Sequence, residues 1–253
     1  MSAPDTLYAF CLPGGGQFDY PLSSAIGKNL FAGWFEPAEV DFVRRHLKPG
    51  DVVLDLGANA GLYTLLAARA VGPAGHVYAF EPGARALELL RHNVQINGAT
   101  NVTIIDAAVS DKTGTASFAV ARDTAYSSLA DIDRDDQDVV EWKTVRTIRL
   151  DDAISEYGIP QATFIKMDVE GAEKLALDGA SRLLARSTPL TILFEASDTN
   201  ASAFGYTVSE LLLTLRALGF SLSGFDRELN LRPVESLGTD VGGSVSNIVA
   251  RRA

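Results

Sequence analysis

Short apolar runs alternate with longer amphipathic segments along most of the chain after residue 50. This alternation is typical of a parallel β-sheet whose strands are joined by crossover helices. The apolar runs predict seven strands, at residues 51–56, 76–81, 101–106, 162–168, 189–195, 219–225 and 244–250. Helical spacing of apolar residues predicts four helices between them, at 61–71, 84–97, 172–185 and 207–218. Only a loop separates the last two strands, so we expect an antiparallel pair at one end of the sheet. The pattern therefore predicts an α/β fold with a doubly wound, mostly parallel seven-stranded sheet.

The N-terminal part of the chain has a different pattern. Residues 1–35 are rich in glycine, proline and aromatic side chains, which predicts irregular structure packed against the rest of the protein. Apolar spacing then predicts a helix over residues 36–47, which the Pro49-Gly50 pair ends. We therefore expect residues 1–50 to form an N-terminal cap with a lead-in helix, and residues 51–253 to form one domain.

An insertion, residues 107–161, separates the third and fourth predicted strands. Two extra strands are predicted within it, and Asp151 or Asp152 can cap a short helix near its end. The run at 131–138 carries five aspartates and one arginine, which is typical of a solvated acidic loop rather than a metal site. We assign no chemistry to this run.

Composition and charge limit the classes of partner. The 253 residues are 47% hydrophobic and 21% charged, as is ordinary for a globular protein. The formal net charge of −10 repels polyanions, so nucleic acid and an anionic membrane surface are disfavoured as partners. A small-molecule or sugar substrate fits this charge better. The sequence does not fix the oligomeric state, and a homo-oligomer is compatible with it.

Cysteine content and targeting signals indicate the compartment. The single cysteine, Cys11, cannot form an internal disulfide, and no cysteine spacing suggests a zinc site. We find neither a signal-peptide pattern nor an apolar run of about 18 residues, which a transmembrane helix needs. A cytoplasmic enzyme is the simplest expectation.

The first predicted strand leads into a turn of small residues, with the sequence VVLDLGANAG over residues 52–61. Small residues let the backbone approach a ligand closely, and the following helix offers free N–H donors. The spacing from Gly57 to Gly61 lacks the third glycine of the GxGxxG pattern that binds a dinucleotide pyrophosphate. Asp55 would repel a diphosphate but can attract a zwitterionic, sulfonium-bearing amino acid. The turn therefore favours S-adenosylmethionine over NAD as the cofactor.

The next two strands end in residues that suit the rest of such a cofactor. Glu81, twenty residues after Gly61, can accept hydrogen bonds from both ribose hydroxyls. The alternative for Glu81 is an N-cap of the helix that begins near Pro82, which does not exclude the first role. The third strand ends at Asp106-Ala107, where doubly wound folds place a side chain and a backbone N–H against adenine, an analogy from fold alone.

Ionisable residues follow the fourth and fifth strands. Alternation places Lys166, Asp168 and Glu170 on one side of an extended chain, at the carboxyl edge where doubly wound sheets bind ligands. The alternative is a structural Lys–Asp pair followed by a glutamate cap of the next helix. Glu195 ends the fifth strand in the same way. Asp168, Glu170 and Glu195 could orient a substrate hydroxyl and accept its proton, or hold a divalent cation.

Several polar residues are expected to have structural roles only. His46 and His92 fall within predicted helices, and His76 opens a strand at the amino edge of the sheet, away from ligand sites. Asn93 and Asn97 are four residues apart on one helix, and we expect them to fix contacts between that helix and a loop. We therefore do not expect a histidine base.

In order along the chain, these motifs resemble the FkbM-type methyltransferases, class I enzymes that use S-adenosylmethionine. The motifs are DLGANAGLYT at 55–64, AFEP at 79–82, AAVSD at 107–111, SSL at 127–129, LDD at 150–152, IKMDVEGAE at 165–173, LFEAS at 193–197 and SNIVA at 246–250. The resemblance implies a Rossmann-like class I methyltransferase fold. It also implies O-methylation, commonly of natural-product or carbohydrate hydroxyls.

The resemblance implies roles for individual residues as well. It implies cofactor contacts for Asp55, Gly57, Asn59, Gly61, Tyr63, Thr64 and Glu81. It implies that Ser127 and Ser128 lie near the cofactor or acceptor, and that Asp168, Glu170 and Glu195 face the reaction centre. We expect Asp168 to be the first candidate for the base and Glu195 the second, with Lys166 tuning Asp168.

Two other functions remain open at this point. One is an NAD(P)-dependent oxidoreductase on a similar sheet, and the other is a cofactor-binding interaction module that has lost catalysis. Mg²⁺ is compatible with the three carboxylates, but the order of motifs does not require it, so we assign no metal ligands.

Overall fold

The computed structural model of the chain describes residues 6–33, 35–121, 126–130, 139–226, 228–236 and 246–253. The predicted acidic loop at 131–138 lies outside the described residues.

The largest element among the described residues is a sheet of eight strands. In sheet order they are β12 (Leu231–Pro233), β11 (Ser221–Phe225), β13 (Ser246–Arg252), β10 (Leu190–Ala196), β9 (Phe164–Met167), β3 (Val52–Leu56), β4 (His76–Phe80) and β5 (Val102–Ile105). Strands β10, β9, β3, β4 and β5 run parallel, and β13 lies antiparallel between β10 and β11. The predicted class of fold is confirmed, and the short strand β12 adds to the seven predicted strands.

Helices cover both faces of this sheet, which explains why its strands are apolar on both sides. One face packs against α2 (Pro37–His46), α3 (Leu62–Val71) and α4 (Ala84–Ile96). The other face packs against α5 (Leu150–Tyr157), α6 (Glu173–Asp178), α7 (Ser181–Arg186), α8 (Asp198–Ser202) and α9 (Val208–Ala217). Successive strand residues alternate between the two cores: Val53 packs on the α2 and α3 side, and Leu54 on the opposite side.

The helix predicted over residues 172–185 is two helices, α6 and α7, with Gly179 between them. A Cβ atom at Gly179 would lie 2.2 Å from the carbonyl oxygen of Ser110, so the chain approaches this loop closely. The Asp151 carboxylate accepts hydrogen bonds from the backbone N–H groups of Arg182 and Leu183, at 3.0 and 2.9 Å. Asp151 therefore caps α7. The expectation that it or Asp152 caps α5 is wrong, because no side chain caps that helix.

The N-terminal residues form a hairpin and a helix, so the expectation of irregular structure over residues 1–35 is wrong. These elements are β1 (Leu7–Cys11), β2 (Gln17–Pro21) and α1 (Ala25–Ala32). Phe18 and Tyr20 alternate along β2, and both side chains are buried against the core. The alternation of apolar and polar residues in β2 is too short to predict a strand beside so many glycines and prolines.

Two asparagines of α4 hold this hairpin on the domain. Asn93 Oδ1 accepts the backbone N–H of Asp19 at 2.8 Å, and Asn97 Oδ1 accepts that of Gln17 at 2.9 Å. Asn93 Nδ2 also donates to the carbonyl oxygen of Ala60, at 3.0 Å. The expected structural role of both asparagines is confirmed, and Asn93 links the hairpin to the turn after β3.

The insertion contains a second, small sheet, which confirms the two predicted extra strands. Its strands are β6 (Ala108–Val109), β7 (Gly114–Ala121) and β8 (Val139–Ile148). Among the helices that the structure describes, none has the length and apolar character needed to cross a membrane.

Candidate functional site

A cavity of about 260 Å³ lies at the carboxyl ends of β3, β4, β9 and β10. The order of strands reverses between β3 and β9, and doubly wound sheets bind ligands at such a point. In the parallel register Asp55 of β3 lies beside Lys166 of β9, so both side chains are on the face covered by α2 and α3. The sheet thus presents ionisable groups where the apolar core of this face ends.

The turn after β3 brings the backbone close to the neighbouring strand. Gly57 has φ +77°, and a Cβ atom there would lie 1.8 Å from the carbonyl oxygen of Asp168. Gly61 has φ +93°, and a Cβ atom there would lie 2.6 Å from Leu90 Cδ1. Gly57 lines the cavity, whereas Gly61 lies at the start of α3 and allows α4 to pack closely.

Glu81 lies in the cavity wall and holds the turn in place. Its Oε2 accepts the backbone N–H of Asn59 at 2.8 Å, and its Oε1 accepts that of Gly83 at 2.7 Å. Burial raises the pKa of Glu81 to about 7, although both hydrogen bonds oppose the shift. The alternative role of Glu81 as the N-cap of α4 is wrong, because Gly83 has that position and no side chain caps the helix. Each carboxylate oxygen has a second lone pair, so Glu81 can also bind a ligand.

Asp55 is buried and lines the cavity, and the fully buried side chain of Thr64 contacts it. The Thr64 hydroxyl donates to Asp55 Oδ2 at 2.5 Å. Burial raises the pKa of Asp55 to about 6, and the Thr64 hydrogen bond opposes this shift. Thr64 itself lies outside the cavity lining, so it acts through Asp55.

The third strand contributes Ala107 rather than Asp106 to the cavity. The Asp106 side chain is 62% exposed and lies 3.9 Å from the Arg91 guanidinium. Strand β5 ends at Ile105, and the chain then turns toward β6, which points Asp106 outward. Ser127 does line the cavity, and its Oγ accepts the backbone N–H of Ala121 at 3.1 Å.

Four predicted residues meet at the ends of β9 and β10. Lys166 Nζ lies 3.2 Å from Asp168 Oδ2. Carboxylate oxygens of Asp168, Glu170 and Glu195 all lie within 4.8 Å of one another. Glu170 reaches this cluster through a left-handed turn with φ 52°, and not through an extended chain as the alternation predicts. We call these three residues the carboxylate cluster.

Burial and neighbouring charges shift the pKa values of both Lys166 and Glu195. Burial lowers the pKa of Lys166, but the surrounding carboxylates, Asp168 first, outweigh it and raise that pKa. Lys166 is therefore a buried ammonium. Burial raises the pKa of Glu195 to about 9, and the negative charges of Asp168 and Glu170 add to the shift. The site therefore favours the protonated form of Glu195.

Sequence reasoning missed Asn200, which lies in α8 and is 2% exposed. Its Nδ2 donates to Glu170 Oε2 at 3.1 Å and to Glu195 Oε2 at 3.0 Å. One amide thus holds two members of the carboxylate cluster. The signal available in the sequence was the position of Asn200, five residues after Glu195 at the end of a predicted strand.

Sequence reasoning also missed Glu36, which precedes α2 and lines the cavity. Tyr63 in the first turn of α3 donates its hydroxyl hydrogen to Glu36 Oε2. Lys166 Nζ lies 5.0 Å from the centroid of the Tyr63 ring, within range of a cation–π contact. No short motif could reveal this contact, because 27 residues separate the two side chains.

The strand order and the site at the switch point define a class I methyltransferase fold. Solved structures share it. A precorrin-6y C5,15-methyltransferase from Geobacter metallireducens superimposes with a TM-score of 0.50 at 14% identity, over 86% of this chain and 88% of that one. A Streptococcus mutans protein in complex with SAH gives 0.50 at 12% identity, over 85% and 96%. At these identities the likeness concerns the fold alone.

The model of the methyltransferase FkbM domain matches residues 55–222, and the chain belongs to this family. It is 31% identical over 159 residues to 31-O-demethyl-FK506 methyltransferase FkbM of Streptomyces tacrolimicus, covering 53% of this chain and 60% of that protein. It is 28% identical over 154 residues to 2-O-methyltransferase NoeI of Sinorhizobium fredii, covering 55% and 61%. The chain thus matches about three fifths of the length of these relatives.

Proposed function

We propose that this protein transfers a methyl group from S-adenosylmethionine to a hydroxyl of a small natural product or carbohydrate. The observation that carries the proposal is that Asp55, Glu81, Lys166 and Asp168 line one cavity at the switch point of the sheet. The family supports methyl transfer. The names of the FkbM and NoeI relatives support oxygen as the accepting atom.

The residues present fit this cofactor. A Cβ atom at Gly57 would clash with the carbonyl oxygen of Asp168, so glycine allows this close approach, and Gly57 also lines the cavity. Asp55 and Glu81 would hold the cofactor, Glu81 through the ribose hydroxyls and Asp55 through the amino-acid part. Ala107 and Ser127 would face the adenine ring. When bound, S-adenosylmethionine supplies a methyl group already activated by its positively charged sulfur.

The protein's own residues then have to orient the acceptor and remove its proton. Asp168 takes the proton of the acceptor hydroxyl, and the Lys166 ammonium, 3.2 Å from Asp168 Oδ2, holds this carboxylate in place. Glu195 lines the same cavity and its burial favours the protonated form, in which it would donate a hydrogen bond that orients the acceptor. This assignment makes Asp168 the base and replaces the role of second base that the sequence suggested for Glu195.

Two measurements test the proposed function. In thermal unfolding, S-adenosylhomocysteine should raise the midpoint and NADH should not, because a ligand that binds only the native state stabilises it. The reverse result would favour the oxidoreductase alternative. Transfer of a labelled methyl group to a panel of glycosides and polyketide alcohols then tests catalysis. Cofactor binding without transfer to any of them would favour the non-catalytic module.

A further inference from the structure

The N-terminal segment forms one wall of the cavity, although it lies outside the residues that match the family model. Among the described residues, this wall comprises Phe18, Tyr20, Ala25, Ile26, Asn29, Phe35 and Glu36. Among these seven residues Glu36 is the only carboxylate, and the others offer apolar groups, one amide and one phenol. A polar group of an acceptor that faces these residues would therefore meet Glu36, Asn29 or Tyr20.

The conformation of Glu36 shows that its side chain is directed away from its own helix. Its φ of 40° and ψ of 54° are left-handed, which is unfavourable for a residue with a Cβ atom. It occupies the capping position of α2, yet its carboxylate makes no capping hydrogen bond. The side chain instead meets Tyr63, whose hydroxyl donates to Oε2.

Within the described part of the chain, no side chain donates a hydrogen bond to the second carboxylate oxygen of Glu36, so a ligand could donate one to it. Among the described residues, Tyr63 is the one side chain that donates a hydrogen bond to Glu36. The charged groups around it are Lys166, Asp168 and Glu39. Burial raises the pKa of Glu36, and the Lys166 ammonium opposes this rise. Glu36 and Asp168 thus both interact electrostatically with Lys166 and line the same cavity, so a group bound by Glu36 would share that cavity with the group that Asp168 deprotonates.

We propose that Glu36 is a specificity-determining residue that accepts a hydrogen bond from a second hydroxyl of the acceptor, beside the hydroxyl that is methylated. The acceptor is then a diol or polyol. This inference rests on the proposed function and narrows its acceptor class. A site built to bond a hydroxyl discriminates strongly against an analogue that lacks it, because its own polar group is left unpaired.

The experiment compares methyl glycosides of common hexoses with their complete sets of mono-deoxy analogues. Transfer of labelled methyl from S-adenosylmethionine gives kcat/KM for each. In the wild type, loss of one hydroxyl other than the methylated one should lower kcat/KM at least about tenfold. In Glu36→Ala, kcat/KM for the parent glycoside should fall by a similar factor. The same deoxy analogue should then give no further decrease in kcat/KM.

Matched variants separate recognition from folding. Asp41→Asn removes a carboxylate from the same helix, where Asp41 pairs with Arg45 on the surface, and should keep the wild-type discrimination. Glu36→Gln keeps the size of the side chain and serves if Glu36→Ala does not fold; it should weaken the discrimination. Tyr63→Phe removes the phenol but leaves Glu36, so discrimination should persist. The S-adenosylhomocysteine affinity of each Glu36 variant should stay near that of the wild type.

Three results would overturn the inference, and they differ in whether the proposed function stands. If the folded Glu36 variants discriminate as the wild type does, Glu36 does not read a second hydroxyl, and the proposed function stands. If no single deoxy analogue is slower in the wild type, the same conclusion follows. If the wild type methylates no glycoside, the proposed carbohydrate acceptor is wrong and the inference falls with it.

Discussion

The side chains of Thr64 and Asp55 form a 2.5 Å hydrogen bond in the buried interior beside the cavity. In Thr64→Val the hydroxyl is lost, and the buried Asp55 carboxylate loses this hydrogen bond. We expect the free energy of unfolding to fall by about 1–3 kcal/mol. The pKa of Asp55, which burial already raises to about 6, should rise further and weaken cofactor binding near neutral pH.

Thr64→Ser is the matched control, because it keeps the hydroxyl and removes only a methyl group. Urea denaturation and calorimetric titration with S-adenosylhomocysteine measure the two effects. Equal stability and affinity in the valine and serine variants would show that the bond to Asp55 is unimportant.

Gly57→Ala should be far more damaging than an alanine at another left-handed glycine. Its Cβ atom would meet the carbonyl oxygen of Asp168 at 1.8 Å, so β3 and β9 would have to separate locally. Gly98 also has a positive φ, but a Cβ atom there meets nothing within 4 Å. Gly98→Ala therefore reports the conformational cost alone, about 1 kcal/mol. A comparable loss of unfolding free energy in both variants would contradict the steric argument.

Asp168→Asn tests the assignment of the base. The amide keeps the shape of the side chain but cannot take a proton, so we expect turnover to fall by about 100-fold or more. Affinity for S-adenosylhomocysteine should change little, because the loss concerns proton removal. A variant that retains wild-type turnover would remove Asp168 from the mechanism.

The buried carboxyl groups predict how stability depends on pH. Burial raises the pKa values of Asp55, Glu81, Glu173 and Glu195 to about 6, 7, 7 and 9. The folded protein thus holds protons that the unfolded chain releases near pH 4–5. The stability from these groups is complete below that range and is lost as pH rises through each folded-state value. We expect the free energy of unfolding of the ligand-free protein to fall between about pH 5 and 9.

Glu195→Gln isolates the last part of that fall. Each titrating group contributes a slope of at most about 1.4 kcal/mol per pH unit, and only Glu195 of the four titrates near pH 9. The variant should therefore lose less stability than the wild type between about pH 7 and 9 in urea denaturation. Parallel curves for the two proteins over this interval would show that Glu195 does not bind the proton.

We expect EDTA to leave turnover unchanged. The carboxylate cluster has the oxygen donors that Mg²⁺ prefers. However, Lys166 already lies against Asp168, and Asn200 already donates to Glu170 and Glu195, so the negative charge is partly compensated. If turnover stops with EDTA and returns with Mg²⁺, direct proton transfer to Asp168 has to be abandoned.

Sequence patterns were sufficient to predict the sheet and the positions of residues at the carboxyl ends of its strands. Asp55, Glu81, Lys166 and Glu195 lie in or directly after strands of a parallel sheet, and the carboxyl ends of such strands meet at one edge. Asp106 followed the same rule but points outward, because the chain changes direction directly after Ile105. The direction of a single side chain at a strand end depends on the next turn, which no alternation pattern records.

The residues that were missed belong to contacts between distant segments. Asn200 meets the carboxylate cluster from a short helix, and Glu36 meets Tyr63 from the N-terminal segment. A glutamate at the start of a helix is an ordinary feature in a sequence. Its contact arises only because α2 and α3 pack on the same face of the sheet.

Strand β13 has a consequence for the order in which this protein can fold. It occupies the position between β10 and β11, although it follows both in the chain. As the polypeptide leaves the ribosome, the edges of β10 and β11 stay unpaired until residues 246–252 arrive. Such edges are templates for association with other chains. Completion of this sheet is thus a late, long-range event, and truncation before β13 should leave an aggregation-prone intermediate.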